Sequence, residues 1–231
     1  MALLGKGLLA IWNDITEKGE AEFVRWHIQE HIPERVGLRG FLRGRRYLAQ
    51  QGHPKYFSFY ETETTQVLES PEYRDRLNAP TPWTQAVVKE FRNTSRTICE
   101  VVISQGLGEG AWIETARISG VKDRESFSRT VAAGLAQDIA RSEGIVGVHL
   151  VKGVDVQANA PTVESKLRNQ ADAKCEWILL IEAAEAGFLE AQRTGVCSDA
   201  VLRKLSPGAA VERGIYRLQY GLSHSELGQT N

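Results

Sequence analysis

The sequence has little of what marks several common protein classes. Its 231 residues include 28 lysines and arginines against 29 aspartates and glutamates, so the formal net charge is only -1. Domains that bind nucleic acid usually carry a strong basic excess on one face, and this balance argues against such a partner. No apolar run reaches the roughly 18 residues that a bilayer-spanning helix needs, so we expect no membrane partner.

Cysteine is also scarce, and local cofactor motifs are missing. The three cysteines are odd in number and far apart, which is typical of a reducing compartment and not of a disulfide scaffold. The apolar start of the chain lacks a basic segment and is soon interrupted by Asn13 and Asp14, so it does not read as a signal peptide. We therefore expect a cytoplasmic protein. With no glycine-rich phosphate loop, no Gly-x-Ser-x-Gly motif and no paired cysteines, we predict no resident cofactor or metal ion.

What the sequence does contain is one order of elements that occurs twice. Each half gives strand, helix, strand, strand, helix, strand, which is the ferredoxin-like plan. The stretch 155–174 has no clear period and is predicted to be an exposed loop. We therefore predict an α+β fold of tandem ferredoxin-like units, residues 1–106 and 107–231. The predicted strands cover 8–12, 40–50, 55–61, 94–104, 111–118, 144–154, 175–182 and 214–221, and the longest predicted helices cover 16–31, 123–142 and 185–205.

The first helix carries a dense group of chemically useful side chains. His27 and His31 lie about one turn apart, and Pro33 should end the helix at about His31 because proline cannot supply a backbone donor. The spacing His-x-x-Glu-His at 27–31 also occurs in a class of zinc proteases. Here the helix is short and no third ligand is recognisable, so we predict no metal site.

Alternation along the strands predicts which side chains share a face. Arg43, Arg45 and Tyr47 should point to one side of their strand. In the next strand we expect Phe57 and Phe59 to face the helices, while the tyrosines beside them face the opposite way. Aromatic rings with polar tips suit a pocket for a small aromatic ligand, and the set predicted to share that space is Trp12, Tyr56 and Tyr60.

Three segments carry a family resemblance: Trp-His-x-x-Glu-His-x-Pro-Glu-Arg at 26–35, Gly-Phe-x-x-Gly-Arg-Arg-Tyr at 40–47 and Tyr-Phe-x-x-Tyr-Glu at 56–61. With them the first half resembles the dimeric α+β barrel superfamily, and its EthD-like and stress-responsive branches most closely. The resemblance implies that both units close one barrel within a single chain, with a small ligand inside. Where the first helix has His27, Glu30 and His31, the second offers Ala133, Gln137 and Asp138, so at most one pocket should be equipped.

That superfamily includes cofactor-independent monooxygenases, cyclases, lactone isomerases, haem-handling enzymes and binding proteins, so the fold implies a pocket and not a reaction. We predict a cofactor-free enzyme that acts by proton transfer on a small aromatic or lactone-like molecule, as an isomerase, cyclase, lyase or monooxygenase. His31 would move the proton, because imidazole titrates near neutral pH. Arg45 and Tyr47 would stabilise negative charge on oxygen. The predicted ligand-binding residues are Trp12, His27, Tyr56 and Tyr60.

Other interpretations of the same residues stay open. His31 could simply bond the carbonyls at the end of its helix, and the aromatic side chains could pack between two sheets. The protein would then be a non-catalytic barrel that binds a small ligand, including one with a stress-related role. Haem bound through His27 or His31 is a third hypothesis, with fewer supporting residues. The barrel formed within one chain could still pair with a second copy, as a homodimer, through its helices or sheet edges.

Overall fold

The computed structural model describes residues 3–154, 161–168 and 171–228. It contains a strand at each of the eight places where one is predicted, which confirms the strand pattern. Most strands extend one to four residues beyond the predicted ends. They are β1 (Gly7–Ile15), β2 (Phe41–Gln51), β3 (Tyr56–Thr62), β4 (Phe91–Gly106), β5 (Trp112–Ser119), β6 (Ile145–Gly153), β7 (Trp177–Ala183) and β8 (Ala210–Ser223).

The strands form one closed barrel in the order β1-β3-β2-β8-β5-β7-β6-β4, and all neighbouring strands are antiparallel. Each half supplies a four-stranded ferredoxin-like sheet, β4-β1-β3-β2 and β8-β5-β7-β6. The two sheets join where β2 pairs with β8 and β4 pairs with β6. Every edge strand thereby gains a partner, which removes the exposed edges that isolated sheets would leave. The predicted α+β architecture of two ferredoxin-like units in one barrel is confirmed.

Helices pack on the outside of the barrel. Two of them contain a π-helical segment, His27–His31 between α1 and α2 and Val131–Leu135 between α5 and α6. Among the described residues, no helix is both long and apolar enough to cross a membrane. The helices are α1 (Glu20–Trp26), α2 (Ile32–Val36), α3 (Pro71–Asn78), α4 (Pro82–Val88), α5 (Arg124–Thr130), α6 (Ala136–Ala140), α7 (Val163–Leu167), α8 (Ala186–Thr194) and α9 (Asp199–Leu205), with 3₁₀ turns at Glu17–Gly19, Thr65–Glu69 and His224–Glu226.

The prediction that the first helix ends at about His31 is wrong. The helical path continues to Val36 through the π-helical segment, in which the N–H of Ile32 donates to the carbonyl of His27 five residues earlier. Pro33 then lies in the first turn of α2, a position where its missing backbone donor costs little. The wider turn therefore lets the chain pass a proline without ending the helix.

Two other predicted elements differ from the structure. The stretch 155–174 is not entirely loop, because it contains the short helix α7, whose N-cap Thr162 accepts a hydrogen bond from the backbone of Ser165. Residues 155–160 and 169–170 of that predicted loop lie outside the described residues. The single helix predicted over 185–205 is two helices, α8 and α9, separated by residues 195–198.

The interior of the barrel is packed with side chains from all eight strands and none from the helices, among them Trp12, Tyr47, Phe57 and Phe59. The predicted orientation of β3 is therefore wrong: Phe57 and Phe59 point into the barrel, and the tyrosines of the same strand point toward the helices. All seven residues of β3 are buried. Because both faces of this strand are apolar, alternation defines two faces but does not say which one is inside.

Candidate functional site

The π-helical segment holds His27 and His31 against the outer face of the first sheet. The two imidazole rings are 5.4 Å apart between centroids and nearly parallel, at 19°. Phe23 stacks on His27 at 5.0 Å, and Trp26 packs on His31 at 4.2 Å. This stack of rings fixes the orientation of both imidazoles and leaves their edges directed at the space between helix and sheet.

That space contains two adjoining cavities. The inner cavity, of about 30 Å³, is lined by both imidazoles together with Tyr60 and Ser58 of β3. The outer cavity, of about 300 Å³, lies between α3, α7 and β4. Three charged side chains line both cavities and so mark the boundary between them: Arg96, Glu164 and Arg168.

Three buried polar atoms at the inner cavity have no hydrogen-bond partner among the described residues. They are the Nδ1 atoms of His27 and His31 and the hydroxyl oxygen of Ser58. Leaving a buried polar group without a partner costs about 1–3 kcal/mol. Atoms of this kind beside a cavity are available to a polar ligand that enters it.

Electrostatics keep both imidazoles neutral. Burial lowers the pKa of His27 and of His31 well below the ordinary value of 6.5. Nearby cations add to the shift, Arg46 and Arg35 for His27 and chiefly Arg35 for His31. At neutral pH each ring therefore offers a nitrogen lone pair that can accept a proton. Burial also raises the pKa of Tyr60, whose hydroxyl lies 3.5 Å from Nε2 of His27, so this tyrosine stays protonated.

The structure does not bring all of the predicted site residues together. Arg45, Tyr47 and Trp12 lie inside the barrel, on the opposite side of the sheet from His31. Arg45 is fully buried and donates two hydrogen bonds to the carboxylate of Glu182, at 2.9 and 3.1 Å. Its guanidinium group is thus committed to an internal ion pair. Burial would raise the pKa of Glu182, but a hydrogen bond with His149 and the charge of Arg45 lower it to about 2.

The two predicted tyrosines of β3 differ in their surroundings. Tyr60 lines the inner cavity beside the histidines. Tyr56 packs against Phe23, and its hydroxyl donates to the carboxylate of Glu20 at 2.7 Å. Of the seven predicted residues, the structure therefore groups only His27, His31 and Tyr60 around one cavity.

Several residues around these cavities were not predicted from the sequence. Ser58 shares a face of β3 with Tyr60, so a correct assignment of that face would have found it. Arg96 lies in a polar stretch of β4, between Ser95 and Thr97, and Glu164 lies in a stretch without periodicity. Glu164 accepts a hydrogen bond at 2.6 Å from Arg35, 129 residues away in the chain. No local sequence pattern predicts such a contact.

The described residues of the site offer little to a metal ion or to haem. Among residues 3–154, 161–168 and 171–228, no group of three or more histidine, cysteine, aspartate or glutamate side chains is placed to hold a metal ion. Both imidazoles face an inner cavity of about 30 Å³. A planar tetrapyrrole cannot enter a space that holds about one water molecule. The residues therefore do not fit haem in this conformation.

No family model and no curated protein sequence matches the chain. Solved structures do match, over nearly all of both chains. An anthrone oxidase-like protein superposes with a TM-score of 0.68 at 13% identity, covering 98% of this chain and 97% of that one. A proposed monooxygenase from Fusobacterium nucleatum gives 0.59 at 10% identity, covering 96% of each chain. A proposed chlorite dismutase gives 0.57 at 11% identity, covering 97% and 98%.

These matches extend across both units, so each of those proteins has the two-unit arrangement within one chain. Together with the closed eight-stranded barrel, they show that the chain has the fold of the dimeric α+β barrel superfamily, as predicted. Assignment to the EthD-like or stress-responsive branch stays a prediction.

Proposed function

We propose that this protein is an enzyme acting on a small molecule, and that its reaction centre is the pair of cavities between helix and sheet of the first unit. The observation that carries the proposal is the pair of neutral, buried imidazoles, His27 and His31, whose Nδ1 atoms have no partner among the described residues. A buried imidazole nitrogen without a partner, in a ring held rigidly beside a cavity, is suited to take a proton from a bound molecule when it carries the lone pair. The barrel interior is less suited, because Arg45 is already paired there.

In this mechanism His31 acts as the base. The substrate would occupy the outer cavity and, once side chains at the boundary between the cavities move, direct an acidic C–H or O–H toward the imidazole. The electron pair left behind would spread onto a conjugated oxygen. Arg96 lines both cavities and can stabilise that oxygen, the role that sequence reasoning gave to Arg45. Burial disfavours the imidazolium that forms, so the proton returns readily to the substrate or passes to water. No bound cofactor takes part.

The named neighbours suggest one concrete substrate class. The anthrone oxidase-like protein and the proposed monooxygenase point to aromatic ketones with an acidic methylene group. Removal of a methylene proton from anthrone gives an enolate, which can react with molecular oxygen without a cofactor. One anthrone and one O₂ then yield one anthraquinone and one water. Isomerisation, cyclisation or elimination would begin with the same proton transfer.

Anthrone therefore provides the test. We expect the protein to accelerate exchange of the methylene protons for deuterium in D₂O under argon, followed by mass spectrometry, and to accelerate O₂ uptake in air. His31→Gln should slow the exchange about 10²-fold, because it removes the base. His53→Gln is the matched control: this histidine is exposed and should leave the rate unchanged. Exchange that never exceeds the buffer rate, or that survives His31→Gln, would contradict the proposal.

A non-catalytic ligand-binding protein is the second candidate. It is favoured by the small size of the inner cavity, about 30 Å³, because a ring in the outer cavity reaches the imidazoles only if side chains move. This alternative predicts that aromatic molecules bind without any deuterium exchange. The same mass-spectrometric measurement separates the two candidates.

A further inference from the structure

Among the described residues, the lining of the outer cavity carries more basic than acidic side chains. Four basic side chains line it, Arg74, Arg96, Arg168 and Lys174, against two acidic ones, Glu164 and Asp172. Cavity walls with an excess of one charge attract ligands of the opposite charge. The pairing of these groups shows where that excess lies.

Both acidic side chains already have partners. Glu164 is buried and accepts from Arg35 at 2.6 Å. Asp172 accepts two hydrogen bonds from Arg168, at 3.0 and 2.7 Å. The two carboxylates of the cavity wall are thus committed to arginines other than Arg74 and Arg96.

Among the described residues, neither Arg74 nor Arg96 forms an ion pair with a carboxylate. Burial lowers the pKa of Arg96, but neighbouring groups raise it overall, and the charges of Asp172 and Glu164 contribute to that rise. Arg96 is half-buried, and the one hydrogen bond it donates from its side chain among the described residues goes to the neutral hydroxyl of Tyr73, at 2.9 Å. Arg74, also half-buried, makes no ion pair or hydrogen bond from its guanidinium group within the described part of the chain. Two guanidinium groups therefore face the cavity with free donors. Guanidinium binds carboxylates especially well, through two parallel hydrogen bonds.

Much of the remaining wall is apolar. Leu68, Leu77, Ile98, Val154 and Pro161 line it, and the hydroxyl-bearing Thr97, Thr162 and Ser165 complete the lining of the outer cavity. A volume of about 300 Å³ lies within the range of pockets that hold small organic ligands. The cavity thus combines an apolar surface for a ring with a cationic surface for an anion.

We infer that the natural ligand is an aromatic carboxylate, with its ring against the apolar wall and its carboxylate bound by Arg74 and Arg96. This inference deepens the proposed function and rests on it for the reaction, while the recognition of charge stands on the cavity alone. Arg96 also lines the inner cavity, so a carboxylate bound there lies at the boundary between the two cavities.

Two probes of nearly equal size separate charge from shape: 2-naphthoate and 2-naphthamide. By isothermal titration calorimetry we expect the wild-type protein to bind the carboxylate about 10-fold or more tightly than the amide. Arg74→Gln and Arg96→Gln should each remove most of that preference and leave the affinity for the amide unchanged. Arg39→Gln is the control, because Arg39 is an exposed arginine of the same unit that lines neither cavity, and its preference should equal that of the wild type.

Equal affinity for the two probes, or no binding of 2-naphthoate, would overturn the inference. So would competition by inorganic phosphate at an affinity equal to that of 2-naphthoate, since the site would then bind any anion. Anthrone has no carboxylate, so its deuterium exchange tests the histidines separately. Intact exchange without a preference for 2-naphthoate removes only this inference, and arginine-dependent binding without exchange removes only the proposed reaction.

Discussion

The helix–sheet interfaces of the two units share a backbone plan and differ in chemistry. Each contains an α-helix, a π-helical segment and a second α-helix, and each has a buried phenylalanine four residues before the π segment, Phe23 and Phe127. With the π segments aligned, His27 and His31 correspond to Val131 and Leu135. The equivalence with Ala133, Gln137 and Asp138 that we drew from the sequence is therefore wrong by two or three residues.

The strands beneath these helices differ in the same way, with polar residues in the first unit and apolar residues in the second. Ser58 pairs with Ile11 across the first sheet, as Leu179 pairs with Ala116 across the second, so the two residues occupy equivalent positions. By the same register Tyr60 corresponds to Ile181. The second unit closes this space with an apolar core that includes Val131, Leu135, Leu179 and Ile181. Since the same backbone packs well with apolar side chains, the polar set of the first unit is not needed for folding, which supports a functional role.

The difference between the two interfaces is tested most directly by placing the polar side chain of one unit in the other. Leu179 is buried in the apolar core, and Leu179→Ser should lower the free energy of unfolding by about 3–5 kcal/mol, because it leaves a cavity and buries a hydroxyl. Urea denaturation measures the change. Ser58→Ala is the matched variant: it removes a hydroxyl without a partner and should change stability by less than about 1 kcal/mol, in the stabilising direction. Equal losses of unfolding free energy in both variants would mean that the two interfaces tolerate a buried hydroxyl equally, and would contradict the comparison.

Converting the first unit to the second is the complementary change. The double variant His27→Val with His31→Leu should reduce turnover of anthrone about 10²-fold or more, because no base is left in the cavity. Its unfolding free energy at neutral pH should equal or exceed that of the wild type, since two buried polar rings give way to apolar side chains. Activity and urea denaturation are measured on the same preparation. A large loss of stability would show instead that the histidines hold the helix to the sheet.

The order of strands and helices could be predicted because its signals are local. Short apolar runs, turn residues and the repetition of one element order predicted every strand, and the motifs at 26–61 indicated the superfamily. The faces of β3 could not be assigned, because Phe57 and Tyr60 are equally buried on opposite sides. That ambiguity led us to place Tyr56 and Tyr60 inside the barrel with Trp12, whereas both tyrosines face the helices.

The members of the candidate site were harder to predict than the fold, for a related reason. His27 and His31 stand out in the sequence because two imidazoles lie close together. Arg96 and Glu164 come from distant parts of the chain and meet only when α7 packs beside β4. Contacts of that kind depend on tertiary packing, and neither periodicity nor local motifs predict them.

The last prediction is a dependence of stability on pH. The pKa values of His27 and His31 in the folded protein lie well below 6.5, their ordinary value and that of the unfolded chain. As the pH falls through 6.5, the unfolded chain therefore takes up protons that the folded protein does not, and the unfolding free energy decreases. Between pH 7.5 and 5.5 each histidine should account for about 1.4 kcal/mol of the loss. The double variant His27→Val with His31→Leu lacks both groups and keeps every other titrating residue, so the difference between its urea-denaturation curves and those of the wild type isolates this pair. If the two proteins lose stability in parallel on acidification, the imidazoles are solvated or charged in the folded state, and the contrast between the two interfaces loses its chemical basis.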